Sequence, residues 1–394
     1  MNNGSENTLD LVLIGGGHAH LSVIKRMAMR PVPGLRITVV SRDVHTPYSG
    51  MLPGLIAGHY QREQCFIDLR RLCQWAGIRL FHSRAVRLDP DLQQVHCDNR
   101  PPLRYDWLSI NAGSTPALDG IRGASQFGVA VKPIDEFLEA LESWMQAPPE
   151  AATLSVVGGG AASVELVLAI QYRIEQMTPA ARVRYQLVSA DRRLLPGYPT
   201  RVTNHFTALL RRRGIRLFTN CRVAAIDQAQ LAIAGEMPLE TGFTIWAVGA
   251  SAPAWLADSG LELDPAGFVS VSEHLQSLSH PNVFAAGDCA SFAPRPLPKS
   301  GVYAVRQGAL LAENIRRAIE GKSLAHYRPQ QRFLSLLATG DRRAVASRGP
   351  LFASGAWVWQ VKSWIDRRFM ARFNDPGPDL PMPDRGNGHD EKIR

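Results

Sequence analysis

The sequence predicts an α/β protein built from two copies of one strand–turn–helix–strand plan. Three observations predict it. Two short β-type apolar runs, Leu11–Ile14 and Leu154–Val157, each lead straight into a glycine-rich turn. The turns, Gly15-Gly16-Gly17 and Gly158-Gly159-Gly160, start 143 residues apart, and each opens onto a helical pattern. Each copy then closes with an apolar strand running into small residues, Tyr105–Ile110 into Asn111-Ala112-Gly113 and Phe243–Val248 into Gly249. One glycine turn is a weak signal, but two in this order suggest two dinucleotide sites. Backbone N–H groups at such a turn, with the positive end of the following helix, suit a pyrophosphate.

In chain order, Ala19–Met29 reads as a helix that stops before Pro31-Val32-Pro33-Gly34, and Leu35–Val40 as a β-branched strand. Ser41–Pro53 is expected to be a loop, punctuated by Pro47, Gly50 and Pro53. Leu69–Trp75 reads as helix, with strands near Ile78–Phe81, Ala85–Leu88 and Gln94–Cys97. A composition break falls at Ala147-Pro148-Pro149-Glu150. The second copy follows, with strands at 153–157 and 183–188 and a helix from Ala161. From Gly267 a third block brings the buried-type strand Asn282–Ala286, Gly287-Asp288, and a helix over Tyr303–Ile319. The last block, 330–373, has Trp357, Val361, Trp364, Ile365, Phe369 and Phe373 at helical spacing, and the tail from Asp375 is expected to be disordered.

The chain of 394 residues is long enough for two or three cores. No window approaches the roughly 18 apolar residues of a membrane span. The first seven residues carry no signal-peptide pattern, so a cytoplasmic location is expected. The five cysteines (Cys65, Cys73, Cys97, Cys221 and Cys289) are irregularly spaced, which predicts neither a disulfide framework nor a zinc site, so no metal is expected. Of the net charge of +9, most sits in 330–373, where eight lysines and arginines face two acids beside Trp357, Trp359 and Trp364. Such a basic, aromatic end suits either an anionic membrane surface or a solvated docking helix. No nucleic-acid module accompanies it, so no nucleic-acid partner is expected.

These motifs together resemble the two-dinucleotide-binding flavoproteins of the pyridine nucleotide–disulfide oxidoreductase superfamily. The resemblance covers roughly 9–320 and rests on the Gly15 turn, Asn111-Ala112-Gly113, the Gly158 turn with Glu165, and Gly287-Asp288, in that order. Disulfide reductases carry a redox cysteine pair near the loop His45–Gly54, and this chain has no cysteine before Cys65. The loop looks more like that of type II NADH dehydrogenases. The phrases Thr46–Gly54, Gly301–Gly308 and Trp364–Met370 look most like the flavoprotein found fused in front of selenide, water dikinase.

The resemblance implies two Rossmann-like domains, the second inserted in the first: 9–132 with 265–328 for FAD, 133–264 for NAD(P)H, and a small C-terminal element over 329–374. Gly15 and Gly17 would hold the FAD pyrophosphate, Ser41 would meet the adenosine ribose in place of the usual acid, and His18, Ala19 and Arg42 would also line the cofactor. His20 replaces the third glycine and should loosen the helix–strand contact. Of His18 and His20, one is expected to cap or pack beside the flavin and the other to face the helix surface. Pro47, Tyr48, Ala112, Gly113 and Tyr303 would lie near the flavin, and Gly287 with Asp288 would take its ribitol chain. Gly158, Gly160, Ala161 and Gly249 would bind the nicotinamide nucleotide, with Glu165 near its ring. Ser189 stands where NAD-preferring relatives often have an acid, and Arg192 and Arg193 follow, which leans slightly to NADPH. Glu165, Tyr48 and Tyr303 are the candidate catalytic residues, and Cys289 reads as a buried small hydrophobe.

The expected activity is hydride transfer from NAD(P)H to flavin N5 and on to a quinone or other small acceptor, without a redox disulfide. The glutamine pair that type II dehydrogenases place near quinone is not reproduced at Val302 and Arg306 or Gln307, which puts quinone in question. Two alternatives stand beside this activity: reduction of a selenium or sulfur compound for selenophosphate synthesis, and a non-enzymatic flavin sensor. The C-terminal element would serve peripheral membrane contact, at the inner face of the membrane, or a homodimer.

Overall fold

The computed structural model describes residues 8–146, 152–179, 182–330 and 332–375. The expected break at Ala147–Glu150 and the tail beyond Asp375 lie outside them. Two five-stranded parallel sheets organise the chain. The first runs Val283–Ala285, Trp107–Ile110, Leu9–Ile14, Leu35–Ser41, Arg79–His82. The second repeats that order with Val129–Ala130, Phe243–Trp246, Thr153–Val157, Arg184–Val188, Arg216–Phe218.

The central strands are nearly continuous buried runs, because parallel sheets are covered on both faces. Each central strand carries its glycine turn at its C-terminal end, where the strand order reverses and ligand crevices form in such sheets. The first sheet is completed by Val283–Ala285, from beyond the whole second sheet, so the second unit interrupts the first in chain order. Its edge strand Val129–Ala130 begins slightly ahead of the expected boundary at 133. Helix His18–Met29 packs closely on helix Gly301–Ile319: a Cβ on Gly308 would come within 2.7 Å of the Ala19 carbonyl oxygen.

The loop after Ser41 holds more structure than expected. Strand His45–Pro47 pairs antiparallel with Phe66–Asp68, and helix Leu52–Ile56 lies between them in the chain. The C-terminal block is a three-stranded antiparallel sheet, Ser335–Ala338, Ala344–Arg348 and Leu351–Gly355, followed by helix Ala356–Asn374. That helix splits the anticipated apolar stripe. Val358, Trp359, Lys362, Asp366, Phe369, Met370 and Phe373 are buried, whereas Trp357, Val361 and Trp364 are 59%, 40% and 60% exposed. No helix among the described residues is long and apolar enough to cross a membrane.

Candidate active site

At the first turn, Gly15 has φ +95° and a Cβ there would sit 2.4 Å from the Asn111 carbonyl oxygen. At Gly17 a Cβ would meet Asn111 Oδ1 at 2.3 Å. Asn111, buried at the end of the neighbouring strand, is the hub. Its Oδ1 accepts the helix-start N–H groups of Ala19 (3.1 Å) and His20 (3.4 Å), and its Nδ2 donates to Ala286 O at 2.6 Å. The motif contains this residue, but its role is long-range, and the local pattern points to Ala112 and Gly113 instead.

His20 corrects its expectation. It neither loosens the contact nor faces the helix surface. It is fully buried, with Nδ1 2.6 Å from Gly15 O and Nε2 2.9 Å from Ser109 Oγ, so it ties the helix to two strands. Gly15 O only accepts, so Nδ1 carries the proton and Nε2 accepts from the serine. Burial pulls the His20 pKa down to about 4, which keeps the ring neutral. Ser41 is buried beside Gly16 and donates to Asp43 O, and Arg42 pairs with Asp43 at 2.9 Å.

His18 begins the helix, and burial pulls its pKa to about 4 as well, opposed by Asp288 and assisted by Lys132. Its Nε2 is buried with no protein partner. Asp288 Oδ2 takes Lys132 Nζ at 3.0 Å, and the same ammonium donates to Ser114 Oγ at 3.0 Å. Gly287 sits at φ +74°, and its N–H donates to Gln307 Oε1 at 2.7 Å, which occupies that glutamine. Lys132, remote in sequence, was not anticipated.

At the second turn, Gly158 has φ +138° and a Cβ there would sit 2.2 Å from Ala247 O. Gly160, before Ala161 and the helix Ala161–Met177, differs: a Cβ there would have no protein atom within 4 Å, and the same holds at Gly113 and Gly249. Those three backbones border open space that a ligand can approach. Together with the orphaned His18 Nε2 and the positive ends of two long helices, these cradles fit one dinucleotide on each turn.

Glu165, one turn into the second helix, accepts from the Ala338 N–H at 2.7 Å. Burial raises its pKa to about 7, against the pull of Lys362 and that hydrogen bond. Lys362, on the C-terminal helix, donates to Asp366 Oδ2 at 2.6 Å and to Gly50 O. Burial costs Lys362 hydration, but Asp366 and Glu165 hold its pKa above the ordinary lysine value, so it stays an ammonium. Asp366 in turn hydrogen-bonds the Tyr48 hydroxyl, whose pKa is raised by burial and by that carboxylate. The Tyr48 ring stacks on Phe369 at 4.4 Å and lies 5.6 Å from His18. Pro47 pairs with Phe66 just before it.

The C-terminal block thus reaches both units: its Ala338 N–H holds Glu165 of the second, while Lys362 and Asp366 hold Gly50 and Tyr48 of the first. Tyr303 takes no part in this cluster: it is buried and its ring neighbour is Phe333, 6.0 Å away. Lys362 and Asp366 were missed, although charges four apart on a helix's apolar stripe are a readable signal. All five cysteines are free and buried, Cys289 fully, and burial lifts its thiol pKa to about 11.

A family model described as pyridine nucleotide-disulphide oxidoreductase matches residues 9–308. The chain is 22% identical over 366 residues to the NADH dehydrogenase-like protein YutJ of Bacillus subtilis (strain 168), covering 89% of this chain and 98% of that one. It is 21% identical over 341 residues to the type II NADH:quinone oxidoreductase of Staphylococcus aureus (strain NCTC 8325 / PS 47), covering 80% and 84%. Among solved structures it superposes on the sulfide:quinone oxidoreductase of Aquifex aeolicus with TM-score 0.78 at 19% identity, over 93% and 92% of the chains. The NDH2 of Plasmodium falciparum in complex with NADH gives TM-score 0.77 at 15% identity, over 93% and 98%.

Proposed function

The chain belongs to the pyridine nucleotide-disulphide oxidoreductase family and is an NAD(P)H-dependent flavin oxidoreductase, and we propose that it passes electrons from NADH through FAD to a quinone without a redox disulfide. The observation that carries this reading is the C-terminal block, whose Ala338 N–H holds Glu165, whose Lys362–Asp366 pair holds Gly50 and Tyr48, and whose Lys362 charge is felt at Glu165. It couples the nicotinamide-side unit to the flavin-side loop in a water-poor centre that contains no thiol pair.

Bound FAD would supply the two-electron chemistry, and the chain's residues supply placement and protons. The Gly15–Ala19 and Gly158–Ala161 turns would fix the two pyrophosphates, with Asp288 beside the first and Ala112, Gly113 and Gly249 lining open backbone. Glu165, with its pKa near neutrality, can hold or release a proton at its carboxyl. The Tyr48 hydroxyl, held by Asp366, is a proton donor at the acceptor side, and Lys362 opposes the burial that raises the Asp366 pKa. NADH is favoured over NADPH because a Cβ on Gly159 would lie 3.1 Å from Asp191 Oδ2. A carboxylate beside the turn suits a ribose 2′-hydroxyl and repels a 2′-phosphate. This differs from the slight lean that Arg192 and Arg193 gave.

The exposed ridge Trp357–Val361–Trp364, with Arg368 stacked 5.3 Å over Trp364, suits docking on an anionic membrane surface where quinones reside. A homodimer through the same ridge is the competing occupant. The function is tested by anaerobic NADH oxidation with a short-chain quinone, elemental sulfur or selenite as acceptor. Quinone-dependent turnover supports the reading. Turnover with sulfur or selenium alone would favour the selenophosphate-linked reductase, and bound flavin with no turnover on any of these acceptors would favour a flavin sensor.

A further inference from the structure

We propose that Glu273, His274 and His326 form a binding site for a divalent transition metal of the zinc class, independent of the redox centre. Among the described residues it is the one group of three histidine, cysteine or carboxylate ligands whose donor atoms all lie within 4.8 Å of one another. His274 Nε2 and His326 Nδ1 each stand 3.8 Å from Glu273 Oε1. That separation is too long for a hydrogen bond. Two ligand atoms on a tetrahedral zinc lie roughly 3.4 Å apart, so the donors converge on a gap of metal size.

The supporting framework is already organised. His274 Nδ1 lies 3.1 Å from the Ala325 carbonyl oxygen, an acceptor only. The ring proton therefore sits on Nδ1, and the Nε2 lone pair is left for a metal, the arrangement by which a backbone carbonyl usually orients a ligating histidine. The two ligand-bearing segments are also tied to each other. Fully buried Asn314, on helix Gly301–Ile319, donates to His274 O at 2.9 Å and to Ala325 O at 2.8 Å, and accepts from the Ala325 N–H at 2.8 Å. The Tyr327 N–H donates to Glu273 O at 2.6 Å.

Glu273 and His326 are 46% and 61% exposed at their side chains, so small rotations close the shell at little cost. Both residues line a pocket of about 490 Å³ together with Arg295 and Arg328, from which water or an anion can complete the coordination. The ligands come from two segments 52 residues apart and include no cysteine, which is why cysteine spacing in the sequence showed no metal site. Bound metal would clamp the 272–276 turn to the segment after the long helix and stabilise the fold by mass action.

The test is a competition titration of the untagged, flavin-loaded protein with Zn²⁺ against a chromogenic chelator, for the parent, His326→Ala and Glu273→Gln. Retained flavin absorbance reports that each variant is folded. The buried cysteines offer no competing accessible thiol. We expect one saturable equivalent in the parent and affinity weakened roughly tenfold or more in both variants. A Zn²⁺-dependent rise in the melting temperature should appear in the parent alone. No saturable uptake at micromolar Zn²⁺, or uptake unchanged in both variants, would overturn the proposal.

Discussion

At the residue scale, Glu165 makes a prediction with a definite sign. Its folded pKa of about 7 lies above its ordinary 4.5, so the fold favours the protonated carboxyl. The stability this contributes is complete below the ordinary value and is lost as pH rises through 7. A shift of that size is worth about 3 kcal/mol at most. Glu165→Gln keeps the acceptor for the Ala338 N–H but has no proton to lose. Its stability relative to the parent should therefore grow between pH 5 and pH 8, measured as denaturation midpoints of the flavin-loaded proteins; a difference that stays flat would contradict the burial argument. Asn111 makes a second prediction. Asn111→Ala strands two helix-start N–H groups and the Ala286 carbonyl, each costing about 1–3 kcal/mol if left unsatisfied. Flavin retention after gel filtration should fall sharply, whereas a control on the outer surface, Leu92→Ser, should retain it.

At the scale of elements, the C-terminal helix carries two unlike faces, one buried and one exposed. Its inner face holds a buried ion pair, and removing one partner of such a pair costs about 3–5 kcal/mol, while replacing both with apolar residues costs far less. Lys362→Met alone should therefore destabilise strongly in urea, and Lys362→Met with Asp366→Leu should recover most of the loss. The double variant should still turn over more slowly, because Tyr48 has lost its anchor. Its outer face should partition the protein onto anionic vesicles at low salt, and Trp357→Ala with Trp364→Ala should weaken that several-fold. Equal partition of parent and variant would remove the membrane assignment.

Much at this scale was readable in advance. The central strands, the glycine turns and the helices after them are local patterns, and they stand within a residue or two of expectation. The C-terminal sheet was not readable, because Ser335–Ala338 and Ala344–Arg348 are short and rich in alanine and serine, without clear alternation. Lys132 and the Ala338 N–H were invisible for another reason: each matters through a partner more than 150 residues away.

At the scale of the whole molecule, two sheets of one topology place two nucleotide cradles, and the C-terminal block closes over the junction between Glu165 and Tyr48. The arrangement has a purpose only if hydride passes between the two bound nucleotides, and the first cradle should saturate independently of the second. Replacing Gly160 by Val would fill the open cradle without straining a positive φ. NADH affinity should fall at least tenfold while FAD stays bound, measured by fluorescence titration; equal loss of both would contradict the separation of the sites.

The most direct test of the central claim is an anaerobic titration of the purified flavoprotein with NADH, and separately with NADPH, followed in the visible flavin band. NADH should bleach the band stoichiometrically and faster than NADPH, and the band should recover when a soluble quinone is added. A bound flavin that neither nucleotide bleaches would contradict the claim.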